Sequence, residues 1–226
     1  MNDPFGSKVF DLFPTAVITG RIPDWETLNA QLKDVIAARR ASNPGINRSN
    51  VLGWHSTIDM LAWGGEPVHR LGQQACALCD RYSYDTVSPN TPRFGWMAEM
   101  WANVSPPNAS NQMHAHPGAL WSLVYYVDCG YDGDDPAQGG ELVLHDPRFP
   151  MNRMYAPDMA FRWPDGRTEE NYRAIRPRDG MIVGFPSWMK HSVQPYRGRR
   201  ERISIAINLM IAFAPGNHDT NQAARG

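Results

Sequence analysis

The sequence predicts a mainly β protein with its helices gathered at the N-terminal end, and three observations carry that expectation. Hydrophobic residues recur at helical spacing through the first third of the chain and at a period of two from Arg93 onward. The apolar runs of the second part are short and are separated by clusters of Gly, Pro and Asp, the pattern of a sandwich or barrel. Nineteen prolines, 19 glycines and eight tryptophans suit many short strands joined by tight turns better than a helical bundle. At 226 residues the chain fits a single domain with a sizeable core. Within it, 1–90 is read as an N-terminal strand and helices packing on the barrel, 91–214 as the β core with an insertion at 150–177, and 215–226 as a tail.

The elements follow in order. Phe10 to Ile18 alternates loosely between apolar and polar and reads as an opening strand. Pro23-Asp24 reads as a helix start with Asp24 as N-cap; Trp25, Leu28, Leu32, Val35 and Ile36 then recur on one buried face, and Asn43-Pro44-Gly45 ends the helix. A polar loop runs from Asn47 to Ser56. The second helix opens at Glu66-Pro67 and repeats Val68, Leu71, Ala75, Leu78, Cys79 and Tyr82 at three and four. It carries Cys76 and Cys79, which read as two packed thiols because no βαβ context supports a redox pair. A long strand covers Arg93–Val104, a loop leads to Asn111, and strands follow at His114–His116, Trp121–Asp128, Glu141–His145, Met181–Phe185 and Glu201–Phe213. The stretch 150–177 holds Met151, Met154, Tyr155, Phe161 and Trp163 among charges without a clear period. Two readings of it stand side by side: a lid or substrate wall, and a packed excursion with no part in binding.

Composition narrows the partners. Twenty-two basic residues against 23 acidic ones give no global charge that favours nucleic acid or a membrane surface. Three cysteines cannot all pair, which argues against a secreted disulfide framework. The N-terminus lacks the apolar region of a signal peptide, and no run of about 18 apolar residues is present. A cytoplasmic protein is expected, with no nucleic-acid or membrane partner.

The chemistry-bearing residues fall in two places. His114 and His116, one residue apart on an extended strand, point to the same face and offer a metal two cis ligands. His191 supplies a third imidazole just before a further strand. In Glu201–Ile211 the odd positions from 203 to 211 are all Ile or Leu, while the even ones are Arg202, Ser204, Ala206, Asn208 and Met210. A strand so apolar on one face ordinarily turns the other to solvent. Yet Arg202 and Ser204 place a cation and a hydroxyl on that same face, a pair suited to a carboxylate. His69 and His218 have no such context and are read as incidental.

Three segments carry a resemblance: Asn111-Gln-Met-His-Ala-His-Pro-Gly118 running into Val124-Tyr-Tyr-Val127, Gly139-Gly-Glu-Leu-Val-Leu-His-Asp-Pro-Arg148, and Pro177-Arg-Asp-Gly-Met-Ile-Val-Gly-Phe-Pro-Ser-Trp-Met-Lys-His191. With Gly53-Trp-His-Ser56 they make the chain similar to the iron(II)/2-oxoglutarate oxygenases of small bacterial and phage proteins. The resemblance implies a double-stranded β-helix (jelly-roll, cupin-like) core, Fe(II) in its mouth, and 2-oxoglutarate and O2 as co-substrates. It makes His114 the first ligand and His191 the distal one, with Arg202, helped by Ser204, on the far carboxylate of 2-oxoglutarate.

The wider superfamily carries His-x-Asp or His-x-Glu, and this chain has His116 where that carboxylate stands. Three resolutions follow. His116 ligates; or Asp146 supplies a carboxylate from another strand; or His116-Pro-Gly118 is a His-x-Gly start that leaves a position for water or an anion. The first needs the fewest assumptions, and Asp146 also suits a pairing with Arg148. No catalytic residue beyond the metal ligands is expected. Tyr126, Asn103 and Asn208 are candidate donors around the site, each with a competing reading as a core residue satisfied by backbone. The implied activity is hydroxylation of a C–H bond in an amino acid, peptide or small metabolite, with release of succinate and CO2, from a chain compatible with a homodimer. The rival reading is a cupin-like metal- or sugar-binding barrel without redox activity. Arg202-x-Ser204 separates the two, since such a barrel has no need of a buried carboxylate clamp. A structural partner-binding protein leaves the three histidines unexplained.

Overall fold

The computed structural model describes residues 4–213, so the expected tail lies outside the described residues. Helix α1, Trp25–Ser42, buries Leu28, Leu32 and Ile36, the i, i+4, i+8 stripe read from the sequence. Asp24 occupies the N-cap position in a left-handed conformation (φ 52°), and its side chain makes no capping bond. A single turn, α2 (Met60–Trp63), leads into α3 (Gly65–Asp80), whose Val68, Leu71, Ala75 and Cys79 are buried. Tyr82 lies past the end of α3 and is exposed, contrary to expectation. All three cysteines are free thiols, and burial pushes Cys79 up to about 12, the chemistry of packing residues.

Eleven strands among the described residues form two antiparallel sheets. In chain order they are β1 (Ile18–Arg21), β2 (Asn50–Val51), β3 (Trp54–His55), β4 (Phe94–Ser105), β5 (Ser110–His114), β6 (Trp121–Asp128), β7 (Leu142–His145), β8 (Tyr172–Ile175), β9 (Met181–Pro186), β10 (His191–Val193) and β11 (Arg202–Phe213). One sheet runs β1-β9-β6-β11-β4-β3, the other β2-β5-β10-β7-β8. Two sheets face to face, with helices on the outer side of the larger, make the expected jelly-roll.

β11 shows why the sequence folds this way. It pairs with β4 over its whole length and with β6 over most of it. Its odd residues, Ile205, Ile207 and Leu209, join the helix stripes in one core. Its even residues face the second sheet, not solvent, so the alternation separates two interiors. Tyr126, Leu142, Leu144, Val183 and Phe185 form a smaller core between the sheets.

Four local expectations change. The opening strand is only Ile18–Arg21, paired with β9; Phe10, Leu12 and Phe13 are 73%, 76% and 95% exposed, and Phe13 has φ 58°. Their alternation has no core to face. The polar loop 47–56 contains β2 and β3, which edge the two sheets. The strand expected at His114–His116 ends at His114, because Pro117 has no N–H for a ladder and Gly118 turns the chain with φ 101°. The insertion 150–177 adds an edge strand, β8, paired with β7.

Candidate metal centre

The β10–β5 ladder sets His191 directly opposite His114. His116 lies two residues past the end of β5, and its backbone N–H donates to the Ser187 carbonyl at 3.0 Å. That bond ties the turn to the segment preceding β10. The three rings come together with centroids 4.3 Å apart for His114–His191, 4.8 Å for His114–His116 and 5.1 Å for His116–His191. One ring nitrogen from each lies within 4.8 Å of the others, the only such cluster of three His, Cys, Asp or Glu among the described residues.

Hydrogen bonds set two of the tautomers. Nδ1–H of His114 donates to the Gln112 carbonyl at 2.7 Å, and Nδ1–H of His191 to the Met189 carbonyl at 3.0 Å. A carbonyl only accepts, so the proton is on Nδ1 and Nε2 keeps its lone pair. Desolvation, then the neighbouring imidazoles, holds His116 down to about 4 and His191 to about 3; burial also lowers His114. All three rings are therefore neutral donors at neutral pH, the state a metal requires. Imidazoles that converge without a carboxylate suit a first-row transition metal. Asp146 takes no part: its carboxylate is engaged by the Arg148 guanidinium at 2.6–3.2 Å, which lowers its pKa. It lines no part of the cavity.

That cavity, of about 390 Å³, lies between the sheets and is lined by the three histidines on one side and the even face of β11 on the other. Arg202, at its inner end, is 1% exposed. Its guanidinium stands 5.2 Å from the Tyr126 ring centroid and makes one long hydrogen bond, Nη1 to Ser204 Oγ at 3.4 Å. Nε and Nη2 have no partner, and neither do the Tyr126 hydroxyl and Asn103 Oδ1. Burial raises the Tyr126 hydroxyl to about 12, so it is a neutral O–H. A buried guanidinium without a counter-charge is costly, and a planar carboxylate would satisfy both orphaned nitrogens and the phenol together. The residues present fit a dicarboxylate co-substrate. Asn208 stands apart from this cluster: its Oδ1 accepts from Ser122 Oγ at 2.9 Å.

Several lining residues were not singled out from the sequence. His55 is buried and stacks on Trp101 (centroids 5.5 Å, planes 13° apart), and its Nδ1–H donates to the Ser56 carbonyl at 2.5 Å. Ser49 Oγ lies 3.5 Å from His114 Nε2 and accepts from Asn111 Nδ2 at 3.3 Å. Glu99, Trp101 and Arg48 complete the wall. A signal existed for two of them: Glu99 and Trp101 share the face of Asn103 on β4 by strand alternation. The segment 47–56 thus contributes to the cavity, whereas no residue of 150–177 lines it. The insertion is held by Arg153 to Glu169 at 2.9 Å and by Trp163 Nε1–H to Asp11 at 2.8 Å, while its Met151, Met154, Tyr155 and Phe161 are exposed.

Known proteins agree with this geometry. A family model described as "Putative 2OG-Fe(II) oxygenase" matches residues 99–208, the segment that holds every histidine of the cluster and Arg202. No curated protein matches the chain by sequence. Among solved structures, a Pseudomonas putida prolyl-4-hydroxylase is similar at 19% identity and TM-score 0.54, over 87% of this chain and 92% of its own. A prolyl hydroxylase from Trichoplax adhaerens, solved with a hypoxia inducible factor peptide fragment, is similar at 13% identity and TM-score 0.58, covering 86% and 83%. HygX from Streptomyces hygroscopicus, solved with nickel and 2-oxoglutarate, is similar at 12% identity and TM-score 0.57, covering 87% and 83%. At these identities the structural likeness establishes the jelly-roll fold. Taken together, the matched core and the three converging histidines make residues 99–208 similar to the 2OG-Fe(II) oxygenases.

Proposed function

We propose that the protein hydroxylates an unactivated C–H bond of an amino acid, peptide or small metabolite, with His114, His116 and His191 holding the iron. Arg202 binds the distal carboxylate of 2-oxoglutarate, with Ser204 and the Tyr126 hydroxyl as further donors. The observation that carries this reading is the buried Arg202 guanidinium with two orphaned nitrogens, aimed into the cavity that the histidines close. A metal-binding or sugar-binding barrel without redox chemistry has no use for that clamp.

When bound, iron supplies the coupling of oxidative 2-oxoglutarate decarboxylation to O2 activation. The chain's own residues do the rest. The two backbone carbonyls on Nδ1 fix the rings of His114 and His191 so that Nε2 points inward. Three neutral ligands leave the metal face one negative charge short of the usual carboxylate triad, so the dianionic co-substrate supplies more of the balancing charge. Trp101, edge-on to His116 at 5.5 Å, and Phe185, edge-on to His191 at 4.8 Å, exclude water from the outer sides of those rings. Asn103 Oδ1, opposite Ser204 in the ladder, is left as an unpaired acceptor at the inner end.

The test is anaerobic titration with Fe(II) and 2-oxoglutarate, followed by O2 and measurement of succinate. Binding of both and succinate release are expected. Full succinate formation by His191→Ala and Arg202→Ala variants overturns the assignment.

A further inference from the structure

The wall opposite the histidines carries a charge that the 2-oxoglutarate clamp does not use. Along β4, Glu99, Trp101 and Asn103 alternate onto the cavity face. Asn103 pairs with Ser204 near the clamp, while Glu99 pairs with Asn208 four residues away, about 13 Å along the strand. Glu99 is therefore out of reach of anything seated on Arg202, and a dicarboxylate would be repelled there. It is half-buried, and among the described residues no Lys, Arg or His pairs with its carboxylate and no donor reaches it. A half-buried carboxylate without a partner, lining a cavity, is free to pair with a bound cation.

The surroundings favour the same charge. Trp101, stacked on His55 through one face, lines the cavity with the electron-rich π-system of an indole. His55, opposite Asn103 on the neighbouring strand, keeps a bare Nε2 because its Nδ1–H is spent on the Ser56 carbonyl. A carboxylate, an indole and an imidazole lone pair are all acceptors of an ammonium group. Arg48, exposed at the rim, adds one positive charge to the same cavity and disfavours a polycation.

We infer that the substrate is an amine, and that Glu99 holds its ammonium group while its carbon skeleton lies along Trp101 toward the three histidines. This names the substrate class of the oxygenase proposed above and rests on that reading. Glu99 is thus a specificity-determining residue.

The experiment is equilibrium binding to the full chain in the presence of Zn(II) and 2-oxoglutarate, read by tryptophan fluorescence and calorimetry. The probes are L-leucine, L-proline and n-butylamine, each against its N-acetyl derivative. Free amines are expected to bind at least tenfold more tightly than the acetylated partners. Glu99→Gln should abolish that preference by weakening the amines alone, and Glu99→Asp should restore part of it. Absence of any preference in the wild type, whether all probes bind or none does, overturns the inference, as does a preference that survives Glu99→Gln. Probe-independent succinate release by the wild type is measured separately. Its failure counts against the oxygenase reading, and the binding preference, which needs no turnover, still decides the role of Glu99.

Discussion

His191 and His114 are register partners in the β10–β5 ladder, with ring centroids 4.3 Å apart. Their closeness is built into backbone pairing and does not depend on side-chain choice elsewhere. His116 differs, since it stands outside any strand and reaches the cluster through a turn.

Substitution at the two ladder positions should therefore remove a ligand and leave the fold in place. Anaerobic Fe(II) titration of His191→Ala is expected to show no specific binding, with thermal melting still cooperative. His116→Ala should lose iron affinity by about 10-fold or more, while His116→Asp, which restores the carboxylate common in this chemistry, should retain binding. Iron affinity unchanged in His116→Ala but lost in Asp146→Ala would transfer the third ligand to Asp146. As the carboxylate of Asp146 is engaged by Arg148, Asp146→Ala should cost only about 1 kcal/mol of stability.

Arg202 couples co-substrate binding to stability with opposite signs. Arg202→Met should weaken 2-oxoglutarate binding by about 2–5 kcal/mol, the loss on truncating one member of a buried charge pair. The same change removes an uncompensated buried charge and replaces it with a chain of similar volume. Apo Arg202→Met should melt no lower than the wild type and gain up to about 1–4 kcal/mol. A lower melting point in the apo variant would mean that the guanidinium is satisfied in the free protein.

Tyr126→Phe isolates one donor. Its hydroxyl has no partner in the free protein, so apo stability should barely change. Binding of 2-oxoglutarate should weaken by about 1.5–3 kcal/mol, the worth of one hydrogen bond to a charged group. Calorimetric titration of the two proteins reads the difference directly.

Away from the site, Asp85 governs acid stability of the loop between α3 and β4. Its carboxylate accepts from the Arg93 side chain at 2.9 and 3.0 Å and from the backbone N–H groups of Val87, Ser88 and Arg93. The Arg93 bonds first, then the backbone donors, hold its pKa well below the usual 3.8. The unfolded chain takes up that proton near 3.8 and the folded one only at lower pH, so the stabilisation is present above that value and is lost as pH falls below it. Asp85→Asn should be less stable than wild type at pH 7, and the gap between the two melting temperatures should narrow by pH 3.

Much of this was legible in the chain itself. The alternation of 203–211 placed a strand whose two faces differ, and Arg202 with Ser204 on one face already suggested a carboxylate. What the strand pattern could not say was that the polar face meets a second sheet and not water, because that depends on pairing across the molecule. For the same reason the sequence assigns no place in the site to Trp101 and Glu99, and gives His55 only as part of Gly53-Trp-His-Ser56. The opening strand failed at Phe10–Phe13, where alternation exists without a surface to bury it. β8 and β10, of four and three residues, are too short to show a period.

β11 is the innermost long strand of the larger sheet, hydrogen-bonded on both sides, and it carries Arg202 at one end and Asn208 further along. Backbone amides in such a strand exchange with solvent only when the whole domain opens. The co-substrate wall therefore belongs to the most protected part of the fold. The opposite wall hangs partly on a turn at His116 and on the short strand β2. Breathing motions that admit a substrate can loosen that side while the arginine stays in register.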